Sequence, residues 1–286
     1  MRRLIVNADD FGITAGVNAA VIDAFRAGCL SSATLLVNGA AAREAADLAR
    51  AHPRLGIGLH FNLTLGAPSA PADAVPSLLG ADGRFPSRDE IAKRALRGRL
   101  VRSELHTELK AQLAAFVALG LAPTHLDSHQ HVHAFPPVFD TLAQECAALG
   151  LPLRQPHTLR LPGARPRLGR RLRSSVLALL NWRNAQRWKG RVRSNRAFAS
   201  VFDFGHLPSR LEPQHYGELF ANTQGDPLEL MVHLVRDADD VDGLTRIGDV
   251  AVAEWELLSR GALVPLMAEH GFRLCTYAEA FELGHP

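Results

Sequence analysis

Short apolar runs alternate with helix-like segments along this chain, and most of the runs end on a residue that can ionise or ligate. That pairing limits the possible folds more than any other feature. The run 3–6 leads to Asp9 and Asp10, 56–60 ends on His60, 151–154 ends on Arg154, and 228–233 ends on His233. These runs, with others at 32–37 and 272–276, have the length and branched-residue content of buried strands. Between them, Val17, Ala20, Val21, Ala24 and Phe25 recur at helical spacing, and Gly28 stops that helix. Further helices are expected at 40–51, 137–149 and 250–270. Another starts at a Ser103 cap and runs to about Leu119, with Leu105, Leu109, Leu113 and Phe116 on one face. Residues 68–99 read as a long surface excursion. Strands that alternate with helices predict a parallel sheet with helical crossovers. In such folds sites form at the C-terminal strand ends, where Asp9, Asp10, His60, His129, Arg154 and His233 fall.

The chain has 286 residues, and its 47% hydrophobic and 21% charged content is an ordinary globular balance. A single domain over 1–286 is expected, carrying a basic insertion at about 160–196. No apolar run is long enough to cross a membrane. The run after Met1 meets Asp9 too soon for a signal-peptide core, so a cytoplasmic location is expected. Cys29, Cys146 and Cys275 are few, widely spaced and odd in number. They suggest a reducing compartment without a disulfide framework or a cysteine zinc site, and read as small buried apolar residues.

Chemistry is concentrated in two stretches. In Asn7-Ala8-Asp9-Asp10-Phe11-Gly12, neighbouring carboxylates at a strand end repel unless a cation separates their roles. A bound metal does so if one Asp ligates it and the other stays free as a base. In 125–133, His125, Asp127, His129, His131 and His133 occupy every second position and would project to one side if extended. Imidazole and carboxylate together suit zinc and other divalent metals, and a catalytic site commonly uses three protein ligands. The assembled parts describe metal-assisted hydrolysis, with Asp9 taking a water proton and His233 protonating a leaving amine. Arg154 would keep Asp9 ionised. No Gly-x-Ser-x-Gly elbow or phosphate-binding glycine loop occurs.

The stretches 7–12, 58–64 with Gly66, and 123–133 resemble the YdjC-like carbohydrate deacetylases, which include chitooligosaccharide and hopanoid-associated deacetylases. The likeness is good to about residue 155 and thin beyond. It implies a distorted β/α barrel, related to polysaccharide deacetylases, that removes acetyl groups from N-acetylated sugars with one divalent metal ion, magnesium or zinc. By matching position it implies Asp10, His60 and His129 as metal ligands, Asp9 as base and Arg154 as its brace. Asn62, Asp127 and His131, in the same motifs, are expected to contact substrate. His233 aligns with a family histidine usually followed by proline and a small residue, but here Leu234-Val235 follow.

Between 160 and 196 there are 12 Lys or Arg and no Asp or Glu, so the formal net charge of +3 belongs to this segment and the rest is acidic. One reading is a basic amphipathic element making peripheral contact with the inner membrane face. The others are a lid, a dimer contact or solvated arginine. A homodimer is the default symmetric assembly. Nucleic-acid binding through Arg, Trp182 and Trp188 is a rival function that the strand-end cluster argues against, so no nucleic acid is expected. A two-metal phosphoesterase using His131 and His133 is a second rival, and a glycoside hydrolase leaves the histidines unexplained.

Overall fold

The computed structural model describes residues 1–157, 159, 161, 168–204 and 210–282. The first strand, β1 (Arg2–Phe11), is the centre of the molecule, and its last eight residues are all buried. It runs beyond the apolar 3–6 because pairing with its neighbours continues through Ala8 and Phe11. Next come α1 (Ala15–Arg26), capped by Thr14, then β2 (Ser32–Leu35), α2 (Ala42–Ala51) and β3 (Gly56–Phe61). The excursion 68–99 is more ordered than expected. It contains α3 (Arg88–Leu96), which buries only Ile91 and Ala95 and so leaves little apolar periodicity to read. Glu108 fastens the excursion by accepting the N–H groups of Ser69 and Ala70 at 2.9 and 3.0 Å.

Glu108 lies on α4 (Arg102–Ala118), which begins after Val101. Ser103 therefore sits inside the helix and caps nothing, while Leu105, Leu109, Leu113 and Phe116 are buried as their spacing requires. Then follow β4 (Leu126–Ser128), a tight turn over His129–Ala134, and α5 (Pro136–Leu149). The expected strand at 151–154 is a single bridge from Leu153 to Leu126. The described chain continues through α6 (Leu168–Trp188), β5 (Ala197–Ala199), α7 (Pro213–Asn222) and β6 (Leu228–Val232). The helix expected at 250–270 is two helices, α8 (Gly248–Leu258) and α9 (Leu263–Glu269), parted at Gly261 with φ 78°. The final elements are β7 (Phe272–Leu274) and the single turn α10 (Tyr277–Ala280).

Every strand pairing is parallel, in the order β4-β3-β2-β1-β6-β5, with β7 against the start of β1. The sheet curls into an incompletely closed barrel with helices as crossovers. Side chains help to bridge its open seam between β4 and β5. The Leu153 N–H donates to Arg193 O at 2.9 Å. Beside it, Asn195 Oδ1 accepts from Gln155 N at 2.7 Å, and Asn195 Nδ2 donates to Gln155 O and Ala197 O at 2.9 and 3.0 Å. Gly58 on β3 matters for close approach: a Cβ there would lie 2.5 Å from the His125 ring. The three cysteines are free and buried. Among the described residues no helix is long and apolar enough to cross a membrane.

Candidate active site

Asp9 and Asp10 separate at a break in the ladder. The register of β1 against β2 shifts between Ala8 and Phe11, and Asp10 stands in that shift with φ 66°. Left-handed backbone is costly for a residue with a Cβ, least so for Asp and Asn. It turns two consecutive carboxylates towards different partners.

Asp9 faces Arg154, whose side chain is completely buried. Arg154 Nη1 donates to Asp9 Oδ2 and Nη2 to Asp9 Oδ1, both at 2.7 Å. Nη1 also lies 2.6 Å from Asp127 Oδ2, and Nε donates to Glu229 Oε1 at 2.7 Å. One guanidinium thus serves three buried carboxylates, and each would be very costly unpaired. Burial alone would raise the Asp9 carboxyl, but the Arg154 guanidinium holds it well below the usual carboxylate range. Burial pushes Glu229 up to about 7 despite Arg154, and the Tyr277 hydroxyl donates to its other oxygen. Asn7 Nδ2 donates to Asp9 Oδ1 at 3.0 Å.

Asp10 faces the histidines. Its Oδ1 lies 2.8 Å from His129 Nδ1 and 3.2 Å from His60 Nε2. Burial would raise Asp10, but His129 and then His60 hold it well below its ordinary value. His60 Nδ1 lies 2.6 Å from Asp127 Oδ1, while Thr34 donates to Asp127 Oδ2 at 3.1 Å. Burial works against a charged His60, yet Asp127 outweighs it and lifts the ring to about 10. Asp127 thus holds His60 through Oδ1 and Arg154 through Oδ2.

His233 closes the far side. Its Nε2 is 4.0 Å from Asp10 Oδ2, and the Phe202 ring meets it edge-on at 5.8 Å. Its Nδ1 is buried without a partner among the described residues, and burial lowers its pKa. Its backbone N–H donates to Glu254 Oε2 at 2.9 Å, and the Tyr216 hydroxyl donates to Glu254 Oε1 at 2.8 Å. Burial pushes Glu254 up to about 8. Leu234 and Val235, which follow His233, are buried and anchor this loop in the core. Asp9, Asp10 and His233 border a recess of about 20 Å³, room for one water-sized molecule.

Local backbone geometry decides where the remaining expected residues stand. The run 125–133 does not stay extended, because the strand ends at Ser128 and Gln130 and His131 adopt φ 52° and 54°. Only His129 of its histidines joins the cluster. His125 stacks on Tyr277 at 3.7 Å with Nε2 3.2 Å from Asn7 Oδ1, and burial keeps it neutral. His133 bonds Ser128 Oγ and the Arg154 carbonyl oxygen, bracing that segment. His131 packs edge-on against Phe198 at 5.7 Å, and its Nδ1 has no partner among the described residues. Asn62 is spent on its own turn: Oδ1 accepts from Thr64 N and Leu65 N, and Nδ2 donates to Leu65 O and Asn38 Oδ1. The sequence reading overlooked Glu229, Tyr277 and Glu254. Only Glu229 left a signal, as a lone acid within an otherwise apolar buried strand.

Among the described residues, two donor groups are compact enough to hold a metal ion: Asp10 with His60 and His129, and Asp9 with His60 and Asp127, each with ligand atoms within 4.8 Å of one another. In the second, the Arg154 guanidinium already takes the place of a cation. The first offers one carboxylate and two imidazoles, a donor set suited to zinc and similar ions. Its His60 is steadied through the other ring nitrogen by a carboxylate, as metal-ligating histidines commonly are.

Parallel strands curled about a polar, metal-competent centre at their C-terminal ends define a β/α-barrel protein with an enzyme-like site. The chain belongs to the YdjC-like protein family, whose profile matches residues 3–264. It is 48% identical over 159 residues to a carbohydrate deacetylase of Geobacillus stearothermophilus, a match covering 56% of this chain and 62% of that protein. The matched stretch is thus under two thirds of that relative's length. A chitooligosaccharide deacetylase of Klebsiella pneumoniae (strain 342) is 35% identical over 290 residues, covering 97% of this chain and 99% of that one. In fold, a crystal structure of a candidate cellobiose-phosphate cleavage protein from Enterococcus faecalis V583 superposes with a TM-score of 0.77 at 24% identity. It covers 97% of this chain and 98% of that one.

Proposed function

We propose that this protein is a metal-dependent hydrolase that removes the acetyl group from an N-acetylated amino sugar. The observation that carries the reading is the division of labour in the Asp9-Asp10 pair. Asp10 meets two histidines in a metal-competent set, while Asp9 accepts two hydrogen bonds from Arg154 and is not a member of that set. The names of the relatives supply the substrate class. Asp10, His60 and His129 would hold one divalent ion, magnesium or zinc, which supplies a more acidic water and polarises the acetyl carbonyl.

The chain's own groups do the rest. Asp9, fixed by Arg154 and Asn7, accepts the proton of the attacking water. The water oxygen bonds to the acetyl carbon, the C–N bond breaks, and His233 donates a proton to the departing nitrogen. Acetate and a free amine result. Glu254 and Phe202 hold His233 across the recess from Asp9. Acetate release from N-acetylglucosamine oligomers tests the reading: release should stop with a chelator and return with added metal. Release unaffected by chelation would reject metal dependence.

The two-metal phosphoesterase loses support because His133 is engaged by Ser128 and Arg154, and neither metal-competent set includes His131 or His133. The nucleic-acid reading weakens because Arg183 and Arg187 pair with Asp140, and Trp188 is buried against the same carboxylate. A peripheral membrane contact keeps one supporting feature. On α6, Val176, Leu179 and Trp182 stand three residues apart and are 42%, 62% and 61% exposed.

A further inference from the structure

The barrel seam also has an outer face. A cleft of about 800 Å³ runs along it, from Asn184 and Trp188 of α6, past Gln155 and Asn195, to Arg3 and Asp226. Arg3 stands near the start of β1 and Asp9 near its end, six residues or about 20 Å apart along the strand. The cleft is therefore separate from the candidate active site, and its argument does not depend on the deacetylase reading.

Its charge is one-sided. Arg3, Lys189, Arg191, Arg193 and Arg196 line it, against the single carboxylate of Asp226, which Arg3 already engages at 3.0 Å. Arg193 and Arg191 are held in place by groups that leave their charge unneutralised, whereas Arg3 is offset by Asp226. Arg193 donates to the Gly150 and Phe281 carbonyl oxygens at 2.5 and 3.0 Å. Arg3 donates to Ala280 O at 2.6 Å. The Arg191 guanidinium lies 4.4 Å from the centre of the Trp188 ring. The side chains of Lys189 and Arg196 make no hydrogen bond or ion pair among the described residues.

Like charges gathered in one concavity repel, and among the described lining residues only Asp226, paired with Arg3, offsets them. Their field is focused by the cleft walls and attracts an anion. Guanidinium forks fixed from behind match phosphate oxygens, and little ordering entropy remains to be lost on binding. The volume is that of a small-ligand pocket. We propose that this cleft binds a phosphate group of a small molecule or of a lipid head.

The test is calorimetric titration with inorganic pyrophosphate at low salt. The full chain and the His129→Ala variant, whose metal set is dismantled, should both bind it. The double variant Lys189→Glu/Arg196→Glu replaces exposed side chains and should fold with an unchanged circular dichroism spectrum. Its affinity should fall at least about tenfold. Binding lost in His129→Ala, equal affinity in the double variant, or no binding at about 5 mM would each overturn the proposal. Vesicles carrying phosphatidic acid separate the sources. Co-sedimentation abolished by the double variant assigns a lipid head, and pyrophosphate binding without co-sedimentation assigns a soluble phosphate ester.

Discussion

Two adjacent aspartates end up with opposite surroundings because one of them takes a left-handed backbone. Asp9 pairs with a buried guanidinium, and Asp10 with two imidazoles. Their replacements should therefore separate two functions. Asp9→Asn removes the proposed proton acceptor but none of the Asp10, His60 and His129 set, so turnover should drop by about 10²–10⁴-fold with metal stoichiometry unchanged. His129→Ala removes a ligand, so both metal and turnover should go. Elemental analysis beside acetate release checks both, and near-normal turnover in Asp9→Asn would reject the base assignment. The short motif around these residues made Asp9, Asp10, His60 and His129 legible in the sequence. Glu229, Tyr277 and Glu254 were not, because they come from distant segments and act only through contacts made on folding.

At the scale of elements, the seam and α6 carry the testable claims. Asn195 makes two hydrogen bonds to backbone groups of Gln155 across the gap between β4 and β5, and a third to Ala197 O at the start of β5. Asn195→Ala leaves the buried Gln155 N–H unpaired and should cost about 1–3 kcal/mol, read from denaturant unfolding. Arg154 adjoins this seam, so the variant should also lower turnover. On α6, sedimentation with anionic but not neutral vesicles would support the membrane contact, and Leu179→Ser/Trp182→Ser should reduce it. Equal behaviour with both vesicles would remove the idea. Long amphipathic helices such as α4 were readable from their period. α3 and the break at Gly261 were not, since few of their side chains face the core.

At the scale of the whole molecule, buried ionisable groups set the pH response. His60 is raised from 6.5 to about 10, Glu229 from 4.5 to about 7, and Glu254 from 4.5 to about 8. The folded state therefore holds protons that the unfolded chain has released. Stability should fall as pH rises from about 6.5 to 8 through the two glutamates and from about 6.5 to 10 through His60, while below 6.5 the buried histidines His125, His133 and His233, lowered by burial, oppose the glutamates. Asp9 and Asp10, both depressed, act at the acid end, where their contribution is lost as pH falls below 3.8. Calorimetry of metal-free protein should show the melting temperature declining above pH 6.5. Metal displaces the His60 proton, so its affinity should strengthen with pH by up to about tenfold per unit. A melting temperature flat across this range would contradict the assignment. The alternation of strands and helices, their parallel arrangement and the end of the sheet that carries the site were determined by the sequence alone. Apolar periodicity and strand-end residues are local properties that survive without a structure. Tertiary structure decided which histidine of four joins the cluster, why Asn62 and Asp127 are held by the protein, and how the barrel seam is bridged. Those outcomes depend on backbone angles at single residues and on partners distant in the chain, and neither leaves a period in the sequence.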